Sequence, residues 1–179
     1  MLRTSRPRHV GFAPPAADLR WLTASASELA KAIADGRVRA VDVVDAHIRR
    51  ARAVNPAINA IVESRYDVAL REAESADARI AAGEKDLQPF LGVPCTIKES
   101  FEVTGMRQTS GLVARKDHVA TGDATTVARL KAAGFIIIGT TNVSELLMWL
   151  ESKNRVYGRS NNPYDTSRIV GGSSGGEGA

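Results

Sequence analysis

The sequence has 179 residues, and 44% of them are apolar, which is enough to form the core of one domain. The formal net charge of +4 is modest and, beyond Arg20, basic residues alternate with acidic ones, which disfavours nucleic-acid binding as the main role. Cys95 is the single cysteine, no apolar run is long enough to cross a membrane, and no secretory signal precedes the first helix, so a cytoplasmic protein without disulfides is predicted.

The N-terminal segment, residues 1–22, is basic and contains three prolines but no hydrophobic period. We interpret it as a disordered leader that precedes one domain over residues 23–179. Leu19, Trp21 and Leu22 lie at the end of this leader and are predicted to dock on the domain.

Capping signals mark the first predicted helix. Ser25 or Ser27 is suited to begin it, and Glu28 follows Ser25 at the spacing of a capping box, in which the two side chains satisfy each other's backbone N–H groups. Gly36 is predicted to end this helix, because glycine readily adopts the left-handed conformation found after helix C-termini.

Two further helices are predicted from hydrophobic spacing and from helix-breaking residues. Apolar residues recur at helical intervals over residues 40–54, and Asn55-Pro56 is predicted to stop that helix. A short strand candidate follows at residues 59–62. Residues 66–82 form the next predicted helix, which Gly83 closes.

Strands and helices alternate in the second half of the sequence. Residues 92–97 are a predicted strand with Lys98 at or beyond its end, and the apolar run at residues 135–138 is predicted to be a strand buried on both faces. Between them a helix is predicted, capped by Asp123 and ended by Gly134. This alternation indicates an α/β fold.

A last helix is predicted after the buried strand. Thr141 or Asn142 has a side chain suited to cap it, and Leu146, Leu147 and Leu150 recur at helical spacing. The sequence contains no internal repeat.

Residues 171–179 contain five glycines and two serines. Glycine is used where the backbone needs a positive φ or where another group approaches it closely, so this segment suits a loop that contacts a reacting group. A flexible Gly/Ser linker is the alternative interpretation of the same composition. A phosphate-binding loop is disfavoured, because no lysine and helix start follow the glycines.

Lys98 is the first candidate for chemistry. It ends a strand that carries Cys95 and Ile97, and apolar surroundings favour the neutral amine, the form of lysine that acts as a base. From composition alone, a surface lysine paired with Glu99 or Glu102 is the favoured interpretation. Cys95 is predicted to be a small buried strand residue and not a nucleophile.

Further segments follow in a recognisable order, namely Gly139-Thr140-Thr141-Asn142, Asn161-Asn162-Pro163-Tyr164-Asp165 and the glycine-rich end. With the strand that ends at Lys98, they resemble the amidase signature family, serine hydrolases that cleave carboxamide C–N bonds with a Ser–Ser–Lys triad. The last residues are most similar to the fatty-acid amide hydrolase branch, because other branches have a small residue in place of Glu177. The resemblance implies an α/β fold, the incomplete N-terminal part of an amidase-signature fold with a mixed sheet flanked by helices.

The resemblance implies roles for four residues near the two ends of this region. Lys98 matches the catalytic lysine. Ser173 matches the serine that passes a proton between the lysine and the nucleophile, and it follows a cis peptide bond formed with Gly172. Ser174 and Gly172 are implied to be supporting residues.

The resemblance leaves the third catalytic residue outside the sequence. In the family the nucleophilic serine lies in a Gly-Gly-Ser segment beyond the bridging serine, and no such segment follows Ser173, so these 179 residues are predicted to be inactive alone. Leu147 and Met148 match helix positions that line the acyl pocket, although core packing explains them equally well. No cofactor or metal is predicted, because the three histidines are isolated.

The first functional hypothesis is therefore an amidase that acts on a small-molecule amide through an acyl-serine intermediate, without nucleic acid and without a membrane span. The alternative within the family is a protein similar to the amidase-like chain of the glutamine-dependent amidotransferases, and Glu177 argues against it. A non-catalytic remnant of a truncated gene is the alternative outside the enzymes. The sequence does not identify the substrate or the oligomeric state. A dimer is compatible with a full-length enzyme.

Overall fold

A computed structural model describes residues 15–179, and its helices and strands alternate over most of that range. The helices are α1 (Ala16–Thr23), α2 (Ala26–Ala34), α3 (Ala40–Ile58), α4 (Tyr66–Ala81), α5 (Thr125–Ala132) and α6 (Gly175–Gly178). The strands are β1 (Ile61–Ser64), β2 (Pro94–Lys98), β3 (Ile136–Thr141), β4 (Lys153–Asn154) and β5 (Gly158–Arg159). Within residues 15–179, no helix combines the length and the apolarity that crossing a lipid bilayer requires.

The main sheet contains three strands in the order β1-β3-β2. β2 runs parallel to β3, whereas β1 runs antiparallel to it, so the sheet is mixed. All six residues of β3 are buried, which confirms the predicted strand buried on both faces. Ile136 and Ile138 pack with helices α2, α3 and α4, while Ile137 packs on the other side with Val127 of α5. The α/β fold predicted from the sequence is confirmed.

The start of α2 follows the predicted capping box. Ser25 Oγ accepts a hydrogen bond from the Glu28 backbone N–H at 3.2 Å, and the Glu28 carboxylate accepts one from the Ser25 N–H at 2.8 Å. Gly36, with φ +68°, follows the end of the helix. The reciprocal pair satisfies two backbone donors that would otherwise lack partners in the first turn.

The leader prediction for residues 1–22 differs from the structure at its C-terminal end, because α1 occupies Ala16–Thr23. This helix has no side-chain cap, but Asp18 forms an ion pair of 2.8 Å with Arg49 of α3. Trp21 packs against the main hydrophobic core as predicted, whereas Leu19 is 49% exposed, so the predicted docking of Leu19 was wrong. Tertiary contacts therefore stabilise a helix that hydrophobic spacing and capping residues in the sequence do not predict. Residues 1–14 of the predicted leader lie outside the described residues.

Helix α3 continues to Ile58, so the prediction that Asn55-Pro56 stops it was wrong. Pro56 removes only one backbone donor in the last turn, and the helix ends instead where Asn59 adopts a left-handed conformation with φ +48°. Asn55 fixes the turn that follows, because its Oδ1 accepts the N–H groups of Ala60 and Ile61 at 2.8 Å.

Asp123 does not cap α5, contrary to the prediction. The helix begins at Thr125 after Ala124, which makes no side-chain cap. The Asp123 carboxylate instead accepts the Thr104 N–H at 2.8 Å and pairs with Lys131 Nζ at 2.7 Å. The Asp123 carboxylate therefore pairs with the charged Lys131 amine and does not cap the helix, because hydrogen bonds between two charged groups are among the strongest that side chains form.

The helix predicted after β3 is absent from the structure of residues 142–150. Asn142 is buried and donates its backbone N–H to the Ala60 carbonyl at 2.9 Å, while its Oδ1 accepts from Asn154 at 2.9 Å, so it does not cap a helix. Only a 3-10 turn forms at Glu145–Leu147, and Leu146 and Leu147 have φ values of +50° and +62°. Residues 146–150, here called the apolar segment, are exposed.

Candidate active site

Lys98 and Ser173 meet at one edge of the sheet, although 75 positions separate them in the sequence. Lys98 Nζ donates a hydrogen bond to Ser173 Oγ at 2.9 Å, and both residues are partly buried. This distance lies within the range in which a proton can pass between two side chains. The predicted convergence of the two side chains is confirmed, and their catalytic roles stay a prediction.

Strand pairing places Lys98 at this edge. Lys98 is the last residue of β2 and lies opposite Thr141, the last residue of the parallel strand β3. The Glu99 backbone N–H then donates to the Thr141 carbonyl at 3.0 Å and extends the pairing by one residue. In open α/β sheets, sites form outside the carboxyl ends of parallel strands, which is where the lysine lies.

The glycine-rich loop approaches this edge from the end of the chain. The peptide bond between Gly172 and Ser173 is cis, as the resemblance implied. The Ser173 carbonyl accepts the Ser144 N–H at 3.4 Å, and the Gly175 N–H donates to Ser152 Oγ at 2.6 Å. These bonds attach the loop at Ser173 and at Gly175.

Close backbone contacts explain why glycine is required in this loop. A Cβ at Gly176 would overlap the Asn142 nitrogen and lie 2.6 Å from the Ala60 carbonyl oxygen. A Cβ at Gly172 would lie 2.7 Å from the Trp149 carbonyl oxygen. The flexible-linker interpretation of residues 171–179 is therefore wrong, since Gly172 and Gly176 pack tightly against fixed backbone.

Glu177 attaches α6 to the two parallel strands. Its carboxylate accepts a hydrogen bond from Thr96 Oγ1 of β2 at 2.8 Å and another from Thr141 Oγ1 of β3 at 2.6 Å. The sequence marks Glu177 only as a departure from related branches. The structure adds a contact that ties the helix after Ser173 to the strand that carries Lys98.

Glu99 is a polar residue of this region whose environment differs from the sequence-based expectation. The sequence indicates only a surface partner of Lys98, whereas the Glu99 side chain is 0% exposed. Its carboxylate accepts the backbone N–H groups of Thr109 and Ser110 and the hydroxyl of Tyr157. A charged residue in the sequence next to a buried strand is the signal that could have identified it.

Of the remaining predicted site residues, Ser174 lies in the loop, whereas Leu147 and Met148 lie in the apolar segment. Ser174 is exposed, and its carbonyl accepts the N–H groups of Glu177 and Gly178 at 3.1 Å. Leu147 and Met148 are 39% and 79% exposed and lie in the apolar segment, outside any α-helix. Their predicted helical setting was wrong, and their contact with substrate stays a prediction. Within residues 15–179, no group of His, Cys, Asp or Glu is arranged to hold a metal ion.

Cys95 lies on β2 and packs against the second hydrophobic core, which includes Ile97 and Ile137. Burial, with the nearby Glu177 carboxylate adding to it, raises the pKa of the Cys95 thiol to about 12. The thiolate, and not the thiol, is the nucleophilic form. The predicted assignment of Cys95 as a packed strand residue agrees with this environment.

Cys95 should therefore resist alkylation in the folded chain. At about pH 8, iodoacetamide should modify native Cys95 on the order of a thousandfold more slowly than the thiol of the chain unfolded in guanidinium chloride, because a raised pKa lowers the thiolate fraction. Glu177→Gln should increase the native rate, since it removes a negative charge that disfavours the thiolate. Equal rates in the folded and unfolded chains would contradict this assignment.

The chain is also similar in sequence to proteins of a known family. A family model described as Amidase matches residues 42–179. The chain is 52% identical over 163 residues to fatty-acid amide hydrolase 2 of Homo sapiens, covering 88% of this chain and 31% of that relative. It is 43% identical over 155 residues to a component of the glutamyl-tRNA(Gln) amidotransferase of Acidothermus cellulolyticus, covering 87% of this chain and 30% of that protein.

A solved structure supports the same relation. A fatty acid amide hydrolase superposes with a TM-score of 0.87 at 29% identity, covering 91% of this chain and 29% of that chain. These 179 residues therefore span about a third of the length of the relatives that they match.

Proposed function

The chain belongs to the amidase family, and from this premise we propose that Lys98 and Ser173 are two members of a Ser–Ser–Lys set that hydrolyses a carboxamide C–N bond. The hydrogen bond of 2.9 Å between Lys98 Nζ and Ser173 Oγ carries this proposal. Strand pairing and the close-packed loop hold the lysine amine and the serine hydroxyl within hydrogen-bond distance. This arrangement supports a role in proton transfer more than a role in packing.

The proposed reaction begins with a nucleophilic serine. As its oxygen attacks the amide carbonyl carbon, its proton passes to Ser173 Oγ, while the Ser173 proton passes to the neutral amine of Lys98. The same relay then returns a proton to the leaving nitrogen when the C–N bond breaks and an acyl-serine remains. Water hydrolyses the acyl-serine by the reverse proton path and releases the carboxylic acid.

The nucleophile is proposed to lie outside residues 1–179. Ser174 adjoins the relay serine, but the resemblance gives it a supporting role. The relatives are about three times longer than this chain, which leaves most of their length to supply a nucleophile and the N–H donors that stabilise the oxyanion. We accordingly propose that the 179 residues provide the base and the relay but do not hydrolyse amides alone.

The proposed substrate carries an apolar acyl group. The apolar segment lies beside the loop, because a Cβ at Gly172 would lie 2.7 Å from the Trp149 carbonyl oxygen. Ser144, which precedes the segment, donates its N–H to the Ser173 carbonyl. We place Leu147 and Met148 of this segment in the acyl pocket. The similarity to fatty-acid amide hydrolase 2 supports a fatty-acid amide as the first substrate to test.

The test compares two proteins. One is the 179-residue chain, and the other is a chimera in which these residues are followed by the remaining C-terminal length of human fatty-acid amide hydrolase 2. The chain alone should show only background hydrolysis of an aryl amide and no labelling by a fluorophosphonate, whereas the chimera should hydrolyse the aryl amide and a long-chain fatty-acid amide.

Three outcomes would change the proposal. Hydrolysis by the chain alone that disappears on Ser174→Ala would identify Ser174 as the nucleophile. A chimera that releases ammonia from glutamine and spares the fatty-acid amide would favour the amidotransferase alternative, which the similarity to the Acidothermus cellulolyticus protein supports. A folded chimera without amidase activity would favour a non-catalytic remnant.

A further inference from the structure

Glu99 is a fully buried carboxylate that adjoins Lys98 in the chain, yet it forms no part of the proposed proton relay. Glu99 Oε1 accepts the Thr109 N–H at 2.5 Å and the Tyr157 hydroxyl at 2.9 Å, and Oε2 accepts the Ser110 N–H at 2.9 Å. A buried carboxylate is tolerated when hydrogen bonds replace its hydration, and these three donors fulfil that role.

Tyr157 is held in the donating form. Burial, with the charge of Glu99 adding to it, raises the pKa of the Tyr157 phenol above its ordinary value. The Arg107 guanidinium lies over the Tyr157 ring, 5.6 Å from its centroid, and pairs with Glu63 of β1 at 3.3 Å. The carboxylate therefore joins the end of β2 to a loop and to the hairpin formed by β4 and β5.

A series of backbone hydrogen bonds leads from Glu99 to the relay serine. The Ser110 N–H donates to the Glu99 carboxylate, and the Ser110 carbonyl accepts a hydrogen bond of 2.8 Å from the Leu146 N–H. Leu147 donates to the Ser144 carbonyl at 3.0 Å, and Ser144 donates to the Ser173 carbonyl at 3.4 Å. The residue next to the lysine thus also fixes the segment that supports Ser173.

We propose that Glu99 is a positioning residue whose buried carboxylate sets the end of β2 against the loop at Thr109 and Ser110, and thereby holds Lys98 Nζ against Ser173 Oγ. The catalytic meaning of this arrangement rests on the proposed function, whereas the geometric claim concerns the Lys98–Ser173 contact itself. Glu99→Gln is the informative change, because an amide keeps the size of the side chain. Its NH₂ group, however, would face one of the three donors whose hydrogen bonds the Glu99 carboxylate accepts.

The experiment measures the Lys98 side chain directly in the full 179-residue chain. Lysine labelled with ¹³C gives one ε-methylene cross peak for each lysine, and Lys98→Arg assigns the Lys98 peak. Ser173→Ala defines the peak position when the contact with the relay serine is lost. Glu99→Gln should move the Lys98 peak most of the way to that position and leave the Lys116 peak unchanged.

A matched control separates positioning from general destabilisation. Glu74→Gln makes the same chemical change at an exposed site on α4, and it should leave the Lys98 peak in place. A role of Glu99 confined to stability would lower the unfolding temperature of Glu99→Gln without moving the Lys98 peak of the folded chain. A folded Glu99→Gln chain with an unmoved Lys98 peak therefore overturns the proposal.

Tyr157→Phe covers the case in which Glu99→Gln does not fold. It removes one of the three donors to the carboxylate, so the Lys98 peak should move in the same direction by a smaller amount. An unmoved peak in this variant also overturns the proposal. Failure of the proposed function is seen separately, as a chimera that keeps its amidase activity after Lys98→Ala while the peak displacements remain.

Discussion

Replacing Lys98 with alanine should lower the amidase turnover of the chimera by about a hundredfold to ten-thousandfold, the range that a positioned general base contributes. Lys98 Nζ lies 2.9 Å from Ser173 Oγ, and alanine leaves the relay serine without an acceptor for its proton. The measurement is kcat for aryl amide hydrolysis by the folded chimera. The KM should change much less, because the lysine acts in the proton transfer and not in binding the acyl group.

Lys116→Ala is the matched control, since Lys116 is exposed and lies just after a 3-10 turn. It should retain close to full turnover. Equal losses from the two substitutions would argue against Lys98 as the base. Ser173→Ala should cost about as much as Lys98→Ala, and the double variant should lose little more than either single one, because the two side chains act as one unit.

Gly176→Ala should detach the glycine-rich loop from the sheet. The added Cβ would overlap the Asn142 nitrogen and lie 2.6 Å from the Ala60 oxygen, and both atoms belong to backbone that cannot yield like a flexible side chain. The same change would disturb the hydrogen bond of 3.0 Å from the Gly176 N–H to the Asn142 carbonyl. We expect a loss of about 1–3 kcal/mol in the free energy of unfolding, as for other overpacked sites.

The loss at Gly176 should extend to function, because α6 follows directly after Ser173 and Ser174. In the chimera, Gly176→Ala should reduce turnover even where the protein remains folded. Gly178→Ala is the matched control, because a Cβ there would lie 3.7 Å from the nearest atom, at ordinary contact distance. Urea unfolding of both variants of the 179-residue chain gives the comparison. Equal stability of the two variants would show that the loop is not held by the contact with Asn142.

The two substitutions act on different parts of the site. Lys98→Ala removes a side chain that is proposed to accept a proton, while the glycine-rich loop keeps its own attachments to the sheet. Gly176→Ala changes whether the loop is seated on the sheet, which the contact between Lys98 and Ser173 requires. Glu177, which accepts hydrogen bonds from Thr96 and Thr141, provides a further attachment of the same loop to β2 and β3.

The sequence by itself determined the features that depend on near neighbours in the chain. The capping box of Ser25 and Glu28, the left-handed glycine after α2 and the fully buried strand β3 all follow from local spacing and side-chain chemistry. The candidate pair of Lys98 and Ser173 came from resemblance to a family, since 75 positions separate the two residues and no local pattern connects them.

Only the tertiary structure decided where polar side chains with several suitable partners would bind. Asp123 pairs with Lys131 instead of capping α5. Asn142 bonds to distant residues, and no α-helix forms where leucine spacing predicts one. The sequence predicts that Glu99 is a solvent-exposed partner of Lys98. In the structure, however, Glu99 is buried and its carboxylate accepts hydrogen bonds from three donors. Each of these outcomes depends on free energies of contact between segments far apart in the chain, which local propensity does not contain.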